Sequence, residues 1–291
     1  MIGSSFGFRV DRGEEYFMDG IIISVINNKG GCGKTTTAVN LAHALAREGQ
    51  EVLLVDMDSQ CNATDILVGK IKIDKSLVEL LDPNGNDLAL QRCIYRDNRT
   101  NIDFLPSTPT LAALEPTLIR TAPQSLNILR DRLRDYAKAN YDFTIIDNPP
   151  NLGTFVLCSL TASDFVIVPN EAGSKYSLEG LIKAVEFIED IRMNWNSNLR
   201  FLRLLITKVD RRMSVCKSMI AYAKRLFPPD RVFETIIPVS TEFQKAELAG
   251  ETIFAQRTAW AVARSYKALA KEILTILGKD AKKEDTSAIS S

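Results

Sequence analysis

The 291-residue sequence predicts an α/β fold, a single doubly wound domain whose mostly parallel sheet carries helices on both faces. Short apolar runs of the kind found in buried parallel strands alternate with segments whose apolar residues recur at helical spacing. A glycine-rich loop joins the first such run to the first such helix, as in phosphate-binding domains. No internal repeat or linker-like break divides the chain, so one domain is expected over residues 20–278.

The ends of the chain and its composition set limits on partners. Residues 1–19 are expected to form a flexible extension and residues 279–291 a disordered polar tail. The 36 basic residues balance 36 acidic ones, so contact with DNA or a membrane would need a local patch. Five cysteines without a C-x-x-C spacing indicate reduced thiols of a cytoplasmic protein. No apolar run reaches the roughly 18 residues of a membrane-spanning helix.

A phosphate-binding loop follows the first predicted strand, residues 21–26. Three glycines within four positions allow backbone N–H groups to turn toward phosphate oxygens, and the next helix adds its N-terminal partial charge. Lys34 adds a full positive charge, and Thr35 presents a hydroxyl suited to Mg²⁺. The first position of the general motif is Asn28 rather than glycine, and a second lysine, Lys29, precedes the glycines. The predicted nucleotide contacts are Lys29, Gly30, Gly31, Cys32, Gly33, Lys34, Thr35 and Thr36.

Carboxylates end two further predicted strands. The strand over residues 52–55 is followed by Asp56 and Asp58, which lie on the same side of an extended backbone. The strand over residues 143–146 ends at Asp147, the position at which a carboxylate holds Mg²⁺ through a water. Ligands of open α/β sheets bind at this edge, so the three carboxylates are expected near the loop.

The remaining elements follow from apolar runs and helical periodicity. Strands are predicted over residues 102–105, 165–169, 201–207 and 232–238, and helices over residues 76–81, 125–139, 176–191, 241–248 and 258–277. The single histidine, His43, is expected at the surface of the first helix. The side chains expected to point into the core are Leu178, Leu181, Ile182, Val185 and Ile188 in one long helix and Trp260, Ala263, Tyr266, Leu269, Ile273 and Leu277 in the last.

The most basic stretch spans residues 207–231, with seven Lys or Arg residues against two Asp residues. An apolar stripe within it, Val215, Met219, Tyr222 and Leu226, predicts a helix. Lys217 and Lys224 share a different face of that helix. The beginning of the stretch, residues 207–210, partly matches a guanine-reading motif but lacks its asparagine, so a guanine nucleotide is left open on a partial match only.

These motifs together resemble the ParA family of partition ATPases, within the ParA/MinD superfamily of deviant P-loop proteins. The early lysine of residues 29–36, K-G-G-C-G-K-T-T, is the signature of that loop. Residues 56–62, D-M-D-S-Q-C-N, are similar to the first seven positions of the family motif D-x-D-P-Q-G-N-A-T, with Ser59 and Cys61 in place of proline and glycine. Residues 147–150 are similar to its D-x-P-P element, with Asn148 where threonine is common.

The resemblance implies a slow, Mg²⁺-dependent ATPase that forms a homodimer with ATP. It implies that Lys29 reaches the partner's phosphates, that Asp58 orients the attacking water, and that Thr35, Asp56 and Asp147 serve the metal. It places Pro238 beside the adenine and assigns non-specific DNA binding to Arg211 or Arg212 with neighbouring Lys217 and Lys224. It further implies a nucleoid-associated protein that positions a plasmid, chromosome region or other cargo with a separate adaptor or ParB-like activator.

Three alternatives remain open on the sequence. A MinD-like membrane switch needs a C-terminal amphipathic helix, but residues 279–291 offer almost no apolar face. A reductase like the nitrogenase iron protein needs paired cluster cysteines, for which Cys93 and Cys158 lack the glycine-rich surroundings. A metabolic ligase needs a second substrate pocket that no motif indicates.

Overall fold

The computed structural model describes residues 19–83, 85, 90–172 and 176–279, in which eight strands form one sheet. The predicted extension and tail lie outside these residues, apart from positions 19 and 279. The strands are β1 (Ile21–Val25), β2 (Val52–Asp56), β3 (Tyr95–Asp97), β4 (Ile102–Leu105), β5 (Phe143–Asp147), β6 (Phe165–Glu171), β7 (Arg200–Val209) and β8 (Val232–Pro238). The helices are α1 (Lys34–Arg47), α2 (Asn62–Val68), α3 (Leu77–Leu81), α4 (Glu115–Arg120), α5 (Ile128–Asn140), α6 (Thr154–Ala162), α7 (Tyr176–Asn194), α8 (Ser214–Leu226), α9 (Glu242–Leu248) and α10 (Trp260–Ile276).

The order of the strands confirms the predicted doubly wound sheet. It runs β3-β4-β2-β5-β1-β6-β7-β8, and every pair is parallel except the antiparallel edge pair β3–β4. Strand β5 lies between β2 and β1, and because these three strands are parallel, the loops that follow β1, β2 and β5 meet at one edge.

Helices cover both faces of the sheet, and successive side chains of β1 point alternately into the apolar cores on its two faces. Ile21, Ile23 and Val25 pack with α1 and α10, whereas Ile22 packs on the opposite face with α5 and α6. Ser24, the polar residue of β1, lies on that opposite face and hydrogen-bonds Ser163 of the α6–β6 turn at 2.8 Å. A third apolar cluster joins α6, α7 and α8 to β6 and β7.

Several predicted side-chain positions are wrong. His43 is buried, because residues 252–254 pack against α1: its Nδ1 lies 2.6 Å from Thr252 Oγ1 and its ring 4.9 Å from Phe254. Trp260 is 65% exposed at the first residue of α10, where Arg264 stacks on its ring. Ile182 lies on the solvent side of α7 at 36% exposure, and the side chain of Leu178 is outside the described residues.

The apolar stripe of the basic segment correctly predicts α8 but does not mark its buried face. Val215 and Tyr222 are 42% and 48% exposed, and Cys216 and Ala223 face the core instead. Among the described helices, none is both long and apolar enough to cross a lipid bilayer.

Candidate nucleotide-binding site

The glycine-rich loop, which directly precedes α1, forms one wall of the candidate site. Gly31 and Gly33 have φ angles of +73° and +92°, in the left-handed region that favours glycine. Gly33 also caps α1 without contributing a side chain, so the first-turn N–H groups of the helix face the loop unobstructed. This arrangement suits a phosphate group at the helix N-terminus.

The two lysines of the loop occupy different positions. Lys34 is 6% exposed, and its Nζ donates a hydrogen bond to the Lys29 carbonyl at 3.1 Å, so its ammonium lies across the loop. The side chain of Lys29 forms an ion pair within its own subunit, and its predicted contact with a partner's phosphates stays a prediction. Its Nζ lies 2.8 Å from Glu171 Oε2, because β6 neighbours β1 and ends in that glutamate at the same edge.

Two of the three predicted carboxylates are paired by the sheet itself. Asp56 and Asp147 are register partners on β2 and β5, and they are 2% and 0% exposed. Burial raises the pKa of Asp56 to about 6, against the opposing hydrogen bonds from Thr64. Burial also raises the pKa of Asp147 well above its usual range, and the charge of Asp56 adds to that rise.

The hydrogen bonding of these two carboxylates differs. Both oxygens of Asp147 are buried without a hydrogen-bond partner in the described part of the chain. Asp56 instead accepts from the Thr64 N–H and Oγ1–H at 2.8 and 2.7 Å and from the Asp58 N–H at 3.1 Å. Since a buried carboxylate without donors is costly, Asp147 is the one suited to a cation.

Asp58 lies in the loop after β2 and is 7% exposed. Its Oδ1 accepts a hydrogen bond from the Gln60 N–H at 3.0 Å. The backbone hydrogen bond to Asp56 and this short turn fix the direction of the side chain. The structure therefore gathers Asp56, Asp58 and Asp147 at the edge where the glycine-rich loop begins.

Other residues at the site were not predicted from the sequence. Thr207, at the end of β7, donates from Oγ1 to the Cys32 carbonyl at 2.8 Å and so supports the glycine-rich loop from below. A cavity of about 60 Å³ opens beside the loop and includes residues of α1, α2 and α9. Its lining residues are Thr35, Thr36, Asn40, Asn62, Ile66, Phe243, Ala246, Glu247, Glu251 and Ile253.

Pro238 ends β8 at the same sheet edge but is separated from β1 by β6 and β7. The cavity lining includes α9, which follows Pro238 in the chain, and not Pro238 itself. Within that cavity, Phe243 of α9 lines the same space as Thr35 and Thr36. The predicted contact of Pro238 with a base stays a prediction.

The basic segment begins at the loop edge as well, directly after Thr207. Arg212 is tied to Asp210, with Nε and Nη2 at 2.9 and 2.7 Å from its two oxygens, and these hydrogen bonds lower the pKa of Asp210 to about 2. Lys224 Nζ lies 3.6 Å from Glu234. Arg211 and Lys217 are exposed and form no ion pair with the described residues. The engagement of Asp210 by Arg212 also argues against a guanine-reading role.

Comparisons with known proteins agree with this geometry. Residues 20–201 match the family model described as an AAA domain. The chain is 34% identical over 255 residues to the sporulation initiation inhibitor protein Soj of Bacillus subtilis, covering 87% of this chain and 98% of Soj. It is also 34% identical over 255 residues to the chromosome partitioning protein ParA of Myxococcus xanthus, covering 88% of each chain.

The fold is likewise similar to a solved structure. Cobyrinic acid a,c-diamide synthase from Mycobacterium smegmatis, with bound ADP and magnesium, superposes with a TM-score of 0.74 at 25% identity. The superposition covers 91% of this chain and 99% of the synthase. The family is indicated by the glycine-rich loop with its early lysine, by the carboxylates at the ends of β2 and β5, and by the near-complete coverage of Soj. The chain belongs to the ParA family of partition ATPases.

Proposed function

We propose that the chain is an ATP-dependent switch that dimerises on ATP, binds DNA without sequence preference and separates after slow hydrolysis. In this way it would position a plasmid, a chromosome region or another cargo. The observation that carries the proposal is Asp147, whose two buried oxygens have no hydrogen-bond partner among the described residues and lie beside a phosphate-binding loop. A hydrated Mg²⁺ held between this carboxylate and a nucleotide would supply the missing charge.

The site residues divide the work of phosphoryl transfer to water. The loop N–H groups and Lys34 would bind the β- and γ-phosphates, and Thr36 the α-phosphate. Thr35 and Asp147 would hold Mg²⁺, with Asp56 in support, and the ion would neutralise charge on the transferring phosphoryl group. Asp58 would align the attacking water, because its buried side chain lies at this edge and its Oδ1 is held by the Gln60 N–H at 3.0 Å.

Dimerisation would depend on Lys29. Its ammonium is held by Glu171 of the same subunit, at 2.8 Å, with both side chains about 30% exposed. To contact the phosphates of a partner subunit, Lys29 would first leave Glu171. The Lys29–Glu171 ion pair would therefore be formed in the single chain and broken in the dimer.

DNA binding would begin at Arg211 and Lys217. These two cations are unpaired with the described residues, whereas Arg212 and Lys224 are engaged by Asp210 and Glu234. Phosphate contacts from such residues carry no sequence information and weaken steeply with salt. A separate adaptor or ParB-like protein would then stimulate hydrolysis and link the switch to its cargo.

The experiment is a DNA-binding titration at several salt concentrations with ATP, with ADP and without nucleotide. We expect ATP-dependent binding to unrelated DNA sequences, retention of binding in Asp58→Ala, and loss in the Arg211→Ala/Arg212→Ala double variant. Lys70→Ala/Lys72→Ala, which removes two exposed lysines after α2, is the matched charge control and should bind as the wild type does.

Three outcomes would contradict the proposal. DNA binding that ignores nucleotide would remove the switch, and binding to anionic vesicles in place of DNA would favour the MinD-like alternative. Phosphate release that requires an organic substrate would favour a synthase, as the name of the structural relative suggests.

A further inference from the structure

Asp56 and Asp147 are neighbours on adjacent strands, yet the protein treats them differently. Every hydrogen bond to the Asp56 carboxylate comes from within the fold, whereas Asp147 receives none from the described residues. A carboxylate that already accepts three hydrogen bonds has little capacity left for a ligand. The Asp56 carboxylate is therefore suited to hold neighbouring residues in place rather than to bind a ligand directly.

Thr64 supplies two of those three hydrogen bonds. It lies in the first turn of α2 and is 6% exposed, and both its N–H and its hydroxyl donate to Asp56 Oδ2. The hydroxyl oxygen in turn accepts a hydrogen bond from the Ser107 N–H at 2.9 Å. Because Ser107 supplies a donor, the hydroxyl proton of Thr64 is directed to Asp56.

The other oxygen of Asp56 holds the loop that carries Asp58. Oδ1 accepts the Asp58 N–H at 3.1 Å, so the direction of the Asp56 carboxylate sets where the backbone of Asp58 lies. The chain of hydrogen bonds thus runs from Ser107 in the loop after β4, through Thr64 on α2, to Asp56 and then Asp58. Its members come from three parts of the sequence, which makes the geometry a property of the folded edge.

We propose that Thr64 is a positioning residue for hydrolysis, which acts through Asp56 to hold Asp58 in line with the attacking water. This inference rests on the proposed function, since it assigns a role to Asp58 that only hydrolysis would use. Loss of the Thr64 hydroxyl would remove one of the three hydrogen bonds that fix the Asp56 carboxylate, and so would loosen its hold on the Asp58 backbone. Supporting residues of this kind typically contribute 10- to 100-fold to activity.

The test compares Thr64→Val, which keeps the shape but removes the hydroxyl, with Thr64→Ser, which keeps the hydroxyl. We expect Thr64→Val to lower kcat for Mg²⁺-ATP hydrolysis about 10- to 100-fold while the KM for ATP changes less than about threefold. Thr64→Ser should retain kcat within about threefold of the wild type. A merely structural threonine would not produce this separation of kcat from KM or this rescue.

Thr100→Val is the matched control. Thr100 is also buried, and its hydroxyl donates to Asp97 Oδ2 at 3.0 Å in the turn between β3 and β4, away from the site. This variant should lose stability without losing kcat. If Thr64→Val does not fold, Thr64→Ala removes the same hydroxyl and carries the same comparison.

Unchanged kcat in the hydroxyl-free variant, equal losses in Thr64→Ser and Thr64→Val, or an equal kcat loss in Thr100→Val would overturn the inference. Those results leave the proposed function standing if the wild type hydrolyses ATP. Absence of phosphate release by the wild type would instead refute the proposed function itself.

Discussion

Replacing Glu171 by glutamine should strengthen ATP-dependent dimerisation, because Lys29 would no longer be held in its own subunit. The ion pair is short, at 2.8 Å, but both side chains are about 30% exposed, so its contribution falls in the range of surface pairs. Such pairs contribute about 0.2–1 kcal/mol each. In the wild type, two such pairs break when two subunits join. The Glu171→Gln dimer avoids this cost and should be more stable by about 0.4–2 kcal/mol, which lowers its dissociation constant by a factor of about 2 to 30.

The assay is sedimentation equilibrium with Mg²⁺-ATP in the Asp58→Ala background, which is expected to preserve ATP during the measurement. Glu189→Gln is the matched control, since it removes a glutamate of α7 that pairs with Arg192 on the helix surface. That control should leave the dissociation constant unchanged. Dimerisation that is unchanged or weaker in Glu171→Gln would refute the idea that this ion pair competes with the dimer contact.

Three further predictions concern charge. Asp147→Asn should abolish hydrolysis, yet it should stabilise the nucleotide-free protein at pH 7 by about 1–3 kcal/mol in urea unfolding. Burial raises the pKa of Asp147, so its ionisation opposes folding at neutral pH. Equal or lower stability of the variant would contradict this. Burial lowers the pKa of His43 to about 4, below its unfolded value near 6.5, so the wild type should lose about 2 kcal/mol of stability between pH 7 and pH 5, a loss absent in His43→Gln. Arg211→Ala should reduce the slope of log affinity for DNA against log salt by about 0.9 for each arginine removed, and Arg212→Ala by less; equal reductions would reject the distinction between the two arginines.

The parts of the site that the sequence predicted are those encoded locally. The loop of residues 29–36 and the carboxylates at the ends of β2 and β5 follow directly from strand ends and from glycines. The sheet then brings them together, because parallel strands place their carboxyl ends at one edge. Their roles toward a nucleotide stay predictions.

Contacts between distant segments were beyond such reasoning. Lys29 is separated by 142 residues from Glu171, and Cys32 by 175 residues from Thr207, and neither pairing leaves a periodic signal. The burial of His43 similarly depends on residues 252–254, which return to α1 only in the folded chain. The sequence of α1 alone could not distinguish a buried polar face from an exposed one.

Sequence patterns do not reveal helices and strands whose apolar and polar residues fail to alternate. Most of α6 is buried, so its residues show no amphipathic alternation that would mark a helix. The edge strand β3 has three residues and mixed exposure, too short for a period-2 signal. In α8 the pattern was visible but was carried by an exposed stripe, since the small residues Cys216 and Ala223 occupy the face toward β7.

The most direct test of the central claim is the mass of the protein in solution in three nucleotide states. With Mg²⁺-ATP, the Asp58→Ala variant should sediment at twice the mass of one chain, and with ADP or without nucleotide it should sediment as a single chain. A single chain in ATP, or a dimer of equal stability in all three conditions, would contradict an ATP-dependent dimerising switch.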